Sequence, residues 1–234
     1  MNFDVLSKDY ALARKEYPWP VVGFCRSLIP DQDPLVLDLG CGTGISSRQL
    51  ADTGTQVVGC DISNPMLTCA LRRPRRNIRY ILCNTECLPF PEKSFNAVTA
   101  FASFHHCGNE KTIAEIRRVL KRNGVFFAIH KSDFGRPILE EILGRNFPSL
   151  KQAYRPVELL RQERFNTDMV EFQGHEYYSL DEFLAYVQSI SYWNLISAEE
   201  KIGIIEKLQA HFAERAQLER LEHKFEVRIV VAFP

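Results

Sequence analysis

Residues 35–44 read LVLDLGCGTG: apolar, β-prone residues broken only by Asp38, then glycines at alternate positions. Unbroken hydrophobicity bounded by glycine is the pattern of a strand buried on both faces of a parallel sheet. Glycine carries no Cβ, so the backbone can turn sharply there and approach a ligand closely. Ile45 to Leu50 continue as the first turns of a helix, whose free N–H groups suit an anionic group. A glycine-rich turn between strand and helix is the plan of a nucleotide-type cofactor site in an α/β fold. The dinucleotide fingerprint G-x-G-x-x-G needs its third glycine at position 45, where this chain has Ile45.

The rest of the first half repeats the strand–helix rhythm. Gln56 to Cys60 form a short β-prone run ending at Asp61, 21 residues beyond Gly40. At that distance a second parallel strand delivers an acid to a ribose, because one carboxylate accepts two hydroxyl hydrogen bonds. The alternative for Asp61 is a simple surface cap. Ser63 is placed as a helix cap and Pro65 in the first turn of that helix. Ile78 to Leu82 and Phe95 to Phe101 read as the third and fourth strands. An amphipathic helix over Lys111 to Lys121 is closed by Asn123-Gly124, and Val125 to Ile129 make the fifth strand. His105 and His106 follow the fourth strand, and loops at the carboxyl ends of parallel strands carry reacting groups. Either histidine is a candidate base, with a structural role as the alternative.

The spacing Asp38-x-Gly40-x-Gly42-x-Gly44 resembles motif I of the class I S-adenosylmethionine-dependent methyltransferases. The segment Asp61-Ile62-Ser63-Asn64-Pro65-Met66-Leu67 is similar to that family's D-x-S-x-x-M-L. Cys83-Asn84-Thr85-Glu86-Cys87-Leu88-Pro89-Phe90 stands where members show G-D-A-E-x-L-P-F. Arg117-Arg118-Val119-Leu120-Lys121 matches R-V-L-K within E-x-x-R-V-L-K-P-G-G, with Arg122-Asn123 in place of Pro-Gly. Phe95 is followed by Asn96 where the family usually has an acid. The resemblance is dense over residues 35–130 and loose at both ends.

It implies S-adenosylmethionine as cofactor, with its amino-acid end on Asp38, Gly40, Cys41, Gly42 and Gly44 and its ribose on Asp61. Ile62, Met66, Asn84, Thr85, Glu86 and Phe101 would complete the cofactor site, Asn84 taking the adenine amino group. An aromatic and arginine segment near the N-terminus, Tyr10-x-x-x-Arg14 with Tyr17-Pro18, resembles one in the small-molecule branch of the family, with Lys15 where a proline is usual. Tyr10 and Arg14 would then face the cofactor and Tyr17 the substrate. In the trans-aconitate methyltransferase group a turn like Ser189-Ile190-Ser191-Tyr192-Trp193 lines the substrate pocket. Ser189, Tyr192, Trp193 and His106 are the corresponding candidates here, with core packing the equal alternative for Trp193.

Composition bounds the partners. Lys+Arg and Asp+Glu balance at 29 each, so no global field favours nucleic acid or an anionic membrane. The dense basic run Arg72-Arg73-Pro74-Arg75-Arg76 reads as a solvated connection at a helix end rather than an RNA patch. The N-terminus lacks the plan of a signal peptide and no apolar run reaches membrane length, which predicts a cytoplasmic protein. Seven cysteines, all between Cys25 and Cys107 and several within strands, fit reduced thiols. No zinc-type C-x-x-C pair occurs, so no metal is expected.

The expected fold is a Rossmann-like, mostly parallel seven-stranded sheet with helices on both faces. Residues 1–34 would form a helical lid, with a short helix from Tyr10 to Tyr17 and a second from about Val21 to Leu28. Residues 35–130 would be the cofactor core, 131–200 a cap and substrate region, and 201–234 a closing helix and antiparallel edge strand, all within one domain. Asn166 to Phe172 is the candidate sixth strand. The expected activity is methyl transfer to a small-molecule carboxylate, hydroxyl or activated carbon. RNA methylation and a regulatory module that binds the cofactor without transferring it are the alternatives. Sequence leaves the oligomeric state open.

Overall fold

Strands that are apolar on both sides must be covered on both sides, and the central strand over Phe95–Phe101 is buried at every position. The computed structural model describes residues 14–147 and 156–234. Its strands are β1 (Leu35–Leu39), β2 (Gln56–Asp61), β3 (Ile78–Leu82), β4 (Phe95–Phe101), β5 (Leu120–Lys131), β6 (Asn166–Tyr178) and β7 (Leu221–Phe233). They form one seven-stranded sheet in the order β3-β2-β1-β4-β5-β7-β6. β1 to β5 pair in parallel and β7 meets β5 antiparallel. The crossover from β3 to the far side of β1 makes a switch point at the carboxyl ends of β1 and β4, where such sheets bind ligands.

The register aligns Leu37, Val98 and Phe126 across one face and Asp38, Thr99 and Phe127 across the other. Helix α1 spans Trp19–Leu28, α2 Ile45–Asp52, α3 Asn64–Leu71, the short α4 Phe104–Cys107 and α5 Glu110–Val119. α5 lays Ile113, Ile116 and Val119 into the cluster that holds Leu37, Val98 and Phe126. α2 lies on the opposite face, where Ser46 and Ser47 reach Asp38. Fully burying each such aliphatic side chain contributes about 1.5–3 kcal/mol, so the two-sided cover holds the central strands in place.

The described residues divide into two compact units. The sheet unit comprises residues 16–131, 156–172 and 227–234, including helix α7 (Pro156–Gln162). The helical unit comprises residues 14–15, 132–147 and 173–226, with α6 (Gly135–Leu143), α8 (Leu180–Ser189) and α9 (Ala198–Arg215). It has its own core, built around Phe134, Tyr178, Phe183, Tyr186, Leu208 and Phe212. Capping boxes start α8 at Ser179 with Glu182 and α9 at Ser197 with Glu200. Among the described residues no helix is long and apolar enough to cross a membrane. All seven cysteines are thiols.

Three expectations are corrected. Residues 14–18 are not helical, because Pro18 disfavours helical backbone in the residue before it and instead caps α1 at Trp19; residues 10–13 lie outside the described residues. The fifth strand begins at Leu120, not Val125, so Asn123-Gly124 lie within it and do not cap α5. The pairing passes from Phe95↔Leu120 to Ala97↔Val125, and that irregularity absorbs residues 121–124 while burying Leu120. Finally, β7 is no edge strand. β6 runs on to Tyr178 and takes the outer position, its exposed positions carrying charges such as Glu171, which pairs with Arg228 at 2.9 Å.

Asn96, which replaces the family's acid, is 1% exposed. Its side-chain oxygen accepts from the Leu35 N–H at 2.9 Å and from Lys121 Nζ at 3.0 Å, and its amide donates to Asp31. Asn96→Ala leaves the first N–H of β1 unsatisfied, and urea unfolding should read a loss of about 1–3 kcal/mol.

Candidate functional site

The glycine turn is fixed from beneath before any ligand is considered. Asp38 is fully buried and accepts from Ser46 Oγ at 2.7 Å, Ser47 Oγ at 2.6 Å and Thr99 Oγ1 at 2.9 Å. Burial pushes its carboxyl up from the usual range, and the three hydroxyls pull it back down. Its position makes it a support of the loop, not a group exposed to a ligand.

Above it the backbone passes through left-handed conformations at Gly40, Gly42 and Gly44, with φ of 62°, 52° and 74°. At Gly40 the need for glycine is twofold, since a Cβ would also stand 2.6 Å from that of Ser103. Ser103 in turn donates to the Leu39 carbonyl at 2.6 Å, joining the ends of β1 and β4. The Cys41 N–H donates to the Cys60 carbonyl at 3.0 Å, and the buried Cys41 thiol is held well above its ordinary pKa by desolvation.

Asp61 closes this ring at the end of β2. One carboxylate oxygen accepts from the Gly42 N–H and the other from the Ser63 N–H, each at 2.8 Å. The sequence reading of a ribose-type acid beside the loop thus meets a carboxylate whose orientation is set by two backbone donors. Ile62 next to it is 72% exposed, an apolar surface beside the acid, while Met66 is buried in α3.

Beyond β3, Asn84 accepts from the Glu86 N–H at 3.0 Å and Glu86 accepts from Asn109 at 2.8 Å. The Thr85 and Thr112 hydroxyls lie 3.2 Å apart. Arg118 donates to the carbonyls of Phe90 and Leu88 at 2.7 and 3.0 Å, and Glu115 takes the Leu88 N–H at 2.6 Å. These bonds hold residues 84–90 as an ordered turn at the carboxyl edge of the sheet.

At the end of β4, Phe101 packs edge-on against Tyr17, with ring centroids 4.8 Å apart. Tyr17 is brought there by a reciprocal pair with Gln49, N–H to Oε1 at 2.8 Å and Nε2 to carbonyl at 2.7 Å. Ala102 then takes a left-handed conformation (φ 48°) that turns the chain into Ser103 and α4. α4 carries His105 and His106, ring centroids 3.8 Å apart, with His130 of β5 at 5.9 Å from His105. Desolvation lowers the His106 pKa below its ordinary 6.5, so this imidazole is neutral at pH 7. A neutral imidazole is competent to accept a proton.

The remaining candidates lie elsewhere. Tyr10 is outside the described residues. Arg14 belongs to the helical unit, its guanidinium 4.5 Å above the Tyr186 ring. Ser189, Tyr192 and Trp193 are 2%, 7% and 9% exposed within that unit, Tyr192 and Trp193 in its aromatic core and Ser189 donating to the Tyr186 carbonyl. The structure thus places Tyr192 and Trp193 in that core, where a ring contributes buried area, with Ser189 held by the backbone of α8. A cleft of about 370 Å³ in the same unit, among Ser132, His175, Lys224 and Phe225, contains none of the expected groups.

Sequence reasoning missed Ser46, Ser47, Thr99 and Ser103, the hydroxyls that fix Asp38 and the loop. The serine pair eight and nine residues after Asp38, at the start of an evident helix, was the available signal. Thr99 and Ser103 are brought in by strand pairing and had none.

Residues 37–128 match the family described as methyltransferase domain. An uncharacterised protein of Methanocaldococcus jannaschii is 33% identical over 157 residues, 65% of this chain and 60% of its own length. Demethylmenaquinone methyltransferase of Tropheryma whipplei is 41% identical over 103 residues, 43% of each chain. The chain thus spans less than two thirds of the length of these relatives. Among solved structures, a methyltransferase from an antibiotic biosynthesis pathway of Anabaena variabilis superposes with a TM-score of 0.64 at 19% identity, covering 90% of this chain and 96% of that one. That likeness supports the fold.

The His106 environment has a measurable signature. Its folded pKa lies below the unfolded value, so the unfolded chain binds the proton first as pH falls. The stability this neutral ring contributes is complete above pH 6.5 and is lost as pH drops below it. NMR titration should give His106 an apparent pKa below 6.5, and His106→Gln should flatten that part of the stability–pH curve.

Proposed function

We propose that this chain, which belongs to the class I S-adenosylmethionine (SAM)-dependent methyltransferases, binds SAM at the glycine turn and methylates a small molecule. The observation that carries the reading is Asp61. Its carboxylate stands beside the loop at the end of β2, its oxygens oriented by the Gly42 and Ser63 N–H groups, at the strand end where an acid accepts from ribose hydroxyls in such sheets. The donor and acceptor chemistry fits SAM. Gly42, with nothing within 4 Å of where its Cβ would stand, leaves room for close approach, Ile62 offers an exposed apolar face, and Asn84 presents an amide at the turn after β3. Ile45 in place of a third fingerprint glycine argues against a dinucleotide.

Bound SAM supplies an electrophilic sulfonium methyl, already activated for displacement by a nucleophile. The protein's share is then alignment and exclusion of water. Tyr17 and Phe101 form an apolar wall at the end of β4, next in sequence to the two histidines. His106, neutral at pH 7, would take the proton of a hydroxyl or an activated carbon acid. An acceptor of that kind agrees with the T. whipplei relative, whose name is that of a quinone-modifying methyltransferase. Zero net charge supports a small molecule over a nucleic acid.

The test is transfer of tritiated methyl from SAM to a panel of small phenols, quinols and carboxylic acids, beside total RNA. Label in the small-molecule fraction supports the reading, and label in RNA alone overturns it. Asp61→Ala should weaken SAM by about 2–3 kcal/mol, roughly 30- to 150-fold in Kd, as loss of a charged hydrogen-bond partner does. An unchanged Kd in the folded variant reduces Asp61 to a backbone cap.

A further inference from the structure

One side chain beneath the loop has no part in the site as described, yet it decides where the loop can lie. Tyr80 stands opposite Gly59 in the parallel pairing of β2 and β3. A Cβ on Gly59 would meet the Tyr80 ring at 2.8 Å (Cδ1) and 2.9 Å (Cε1), and Cys41 Sγ at 3.0 Å. A Cβ on Gly44 would fall on the Tyr80 hydroxyl, with Cζ at 2.9 Å. The ring therefore spans from the middle of β2 to the last glycine of the loop, filling space that any other residue at 44 or 59 would occupy. Gly59 has no left-handed conformation to account for it, so contact alone requires the glycine there.

Arg48 completes the support. It lies on α2, 9% exposed, and its Nη1 donates to the Thr43 carbonyl at 2.9 Å. Its charge lies beside the buried Tyr80 hydroxyl, opposing the desolvation that pushes that phenol up to about 12. A buried guanidinium is retained only where its bonds are worth its dehydration, and this one donates to the carbonyl of Thr43, between Gly42 and Gly44. The N–H groups of that stretch include the one that orients Asp61.

We propose that Tyr80 and Arg48 are positioning residues that set the height and tilt of the Gly40–Gly44 loop, so that cofactor affinity depends on matching glycine at 59 with an aromatic ring at 80. Tyr80 is the floor under Gly44, and Arg48 holds Thr43 down against it. Neither residue touches the ligand. The proposal rests on the SAM-binding reading for its affinity readout.

The experiment is a size-swap cycle read by calorimetry with S-adenosylhomocysteine on folded protein, folding being checked by circular dichroism. Gly59→Ala should weaken binding at least tenfold in the native background. In a Tyr80→Val background the same alanine should change the Kd less than threefold, because the ring it collides with is gone. An equal loss in both backgrounds, or no loss in the native one, overturns the proposal. Should Gly59→Ala fail to fold, the arginine decides. Arg48→Met should lose at least tenfold in affinity, and Arg48→Lys, which keeps a donor for the Thr43 carbonyl, should stay within threefold. Equal affinities for Met and Lys overturn it. If the native chain binds no S-adenosylhomocysteine, the SAM reading fails separately. The positioning claim is then judged by the Gly42 and Gly44 amide resonances, which Gly59→Ala should shift and Tyr80→Val should restore; unmoved resonances contradict it.

Discussion

The buried carboxylate of Asp38 is the interaction on which the rest of the site depends. It joins three elements that approach from different directions: its own strand β1, the first turn of α2 through Ser46 and Ser47, and β4 through Thr99. An acid removed from water is tolerated only when it is hydrogen-bonded, and three hydroxyls donate to it here. Residues 39–45 are bracketed between Asp38 and the serines it holds. The loop is thereby pinned at both ends before any glycine takes its left-handed turn.

A second acid, Asp61, has the opposite environment and the opposite use. Its oxygens are oriented by the N–H groups of Gly42 and Ser63, it is only partly buried, and it lies at the carboxyl edge of the sheet. Two carboxylates at neighbouring strand ends thus divide the work. One is buried beneath three hydroxyls and fixes geometry; the other is oriented by two backbone N–H groups at the edge of the sheet. His106, just beyond β4, has its pKa lowered from the ordinary 6.5 by desolvation, which favours the neutral imidazole that can accept a proton.

Much of this was legible in the sequence where local chemistry is decisive. The glycine turn, the Ser63 cap of α3 and β1 to β4 follow from residue types over a few positions, and the structure has them at the expected places. Two of the failures depended on distant pairing. The onset of β5 turns on an irregular register against β4, and the inner position of β7 turns on how far β6 extends. Tyr192 and Trp193, which lie in the core of the helical unit, were ambiguous because an aromatic side chain reads the same whether it lines a pocket or fills a core. Tyr80 carried no sign of its importance, since only the β2–β3 register brings it opposite Gly59.

The central claim is that the ring formed by the loop, Asp61 and the turn after β3 holds the nucleoside of SAM. A crystal structure with S-adenosylhomocysteine bound tests it most directly. The account predicts one ligand molecule with both ribose hydroxyls within hydrogen-bond reach of the Asp61 carboxylate and the adenine against Ile62. A ligand bound elsewhere, or a ribose that leaves Asp61 untouched, would contradict it.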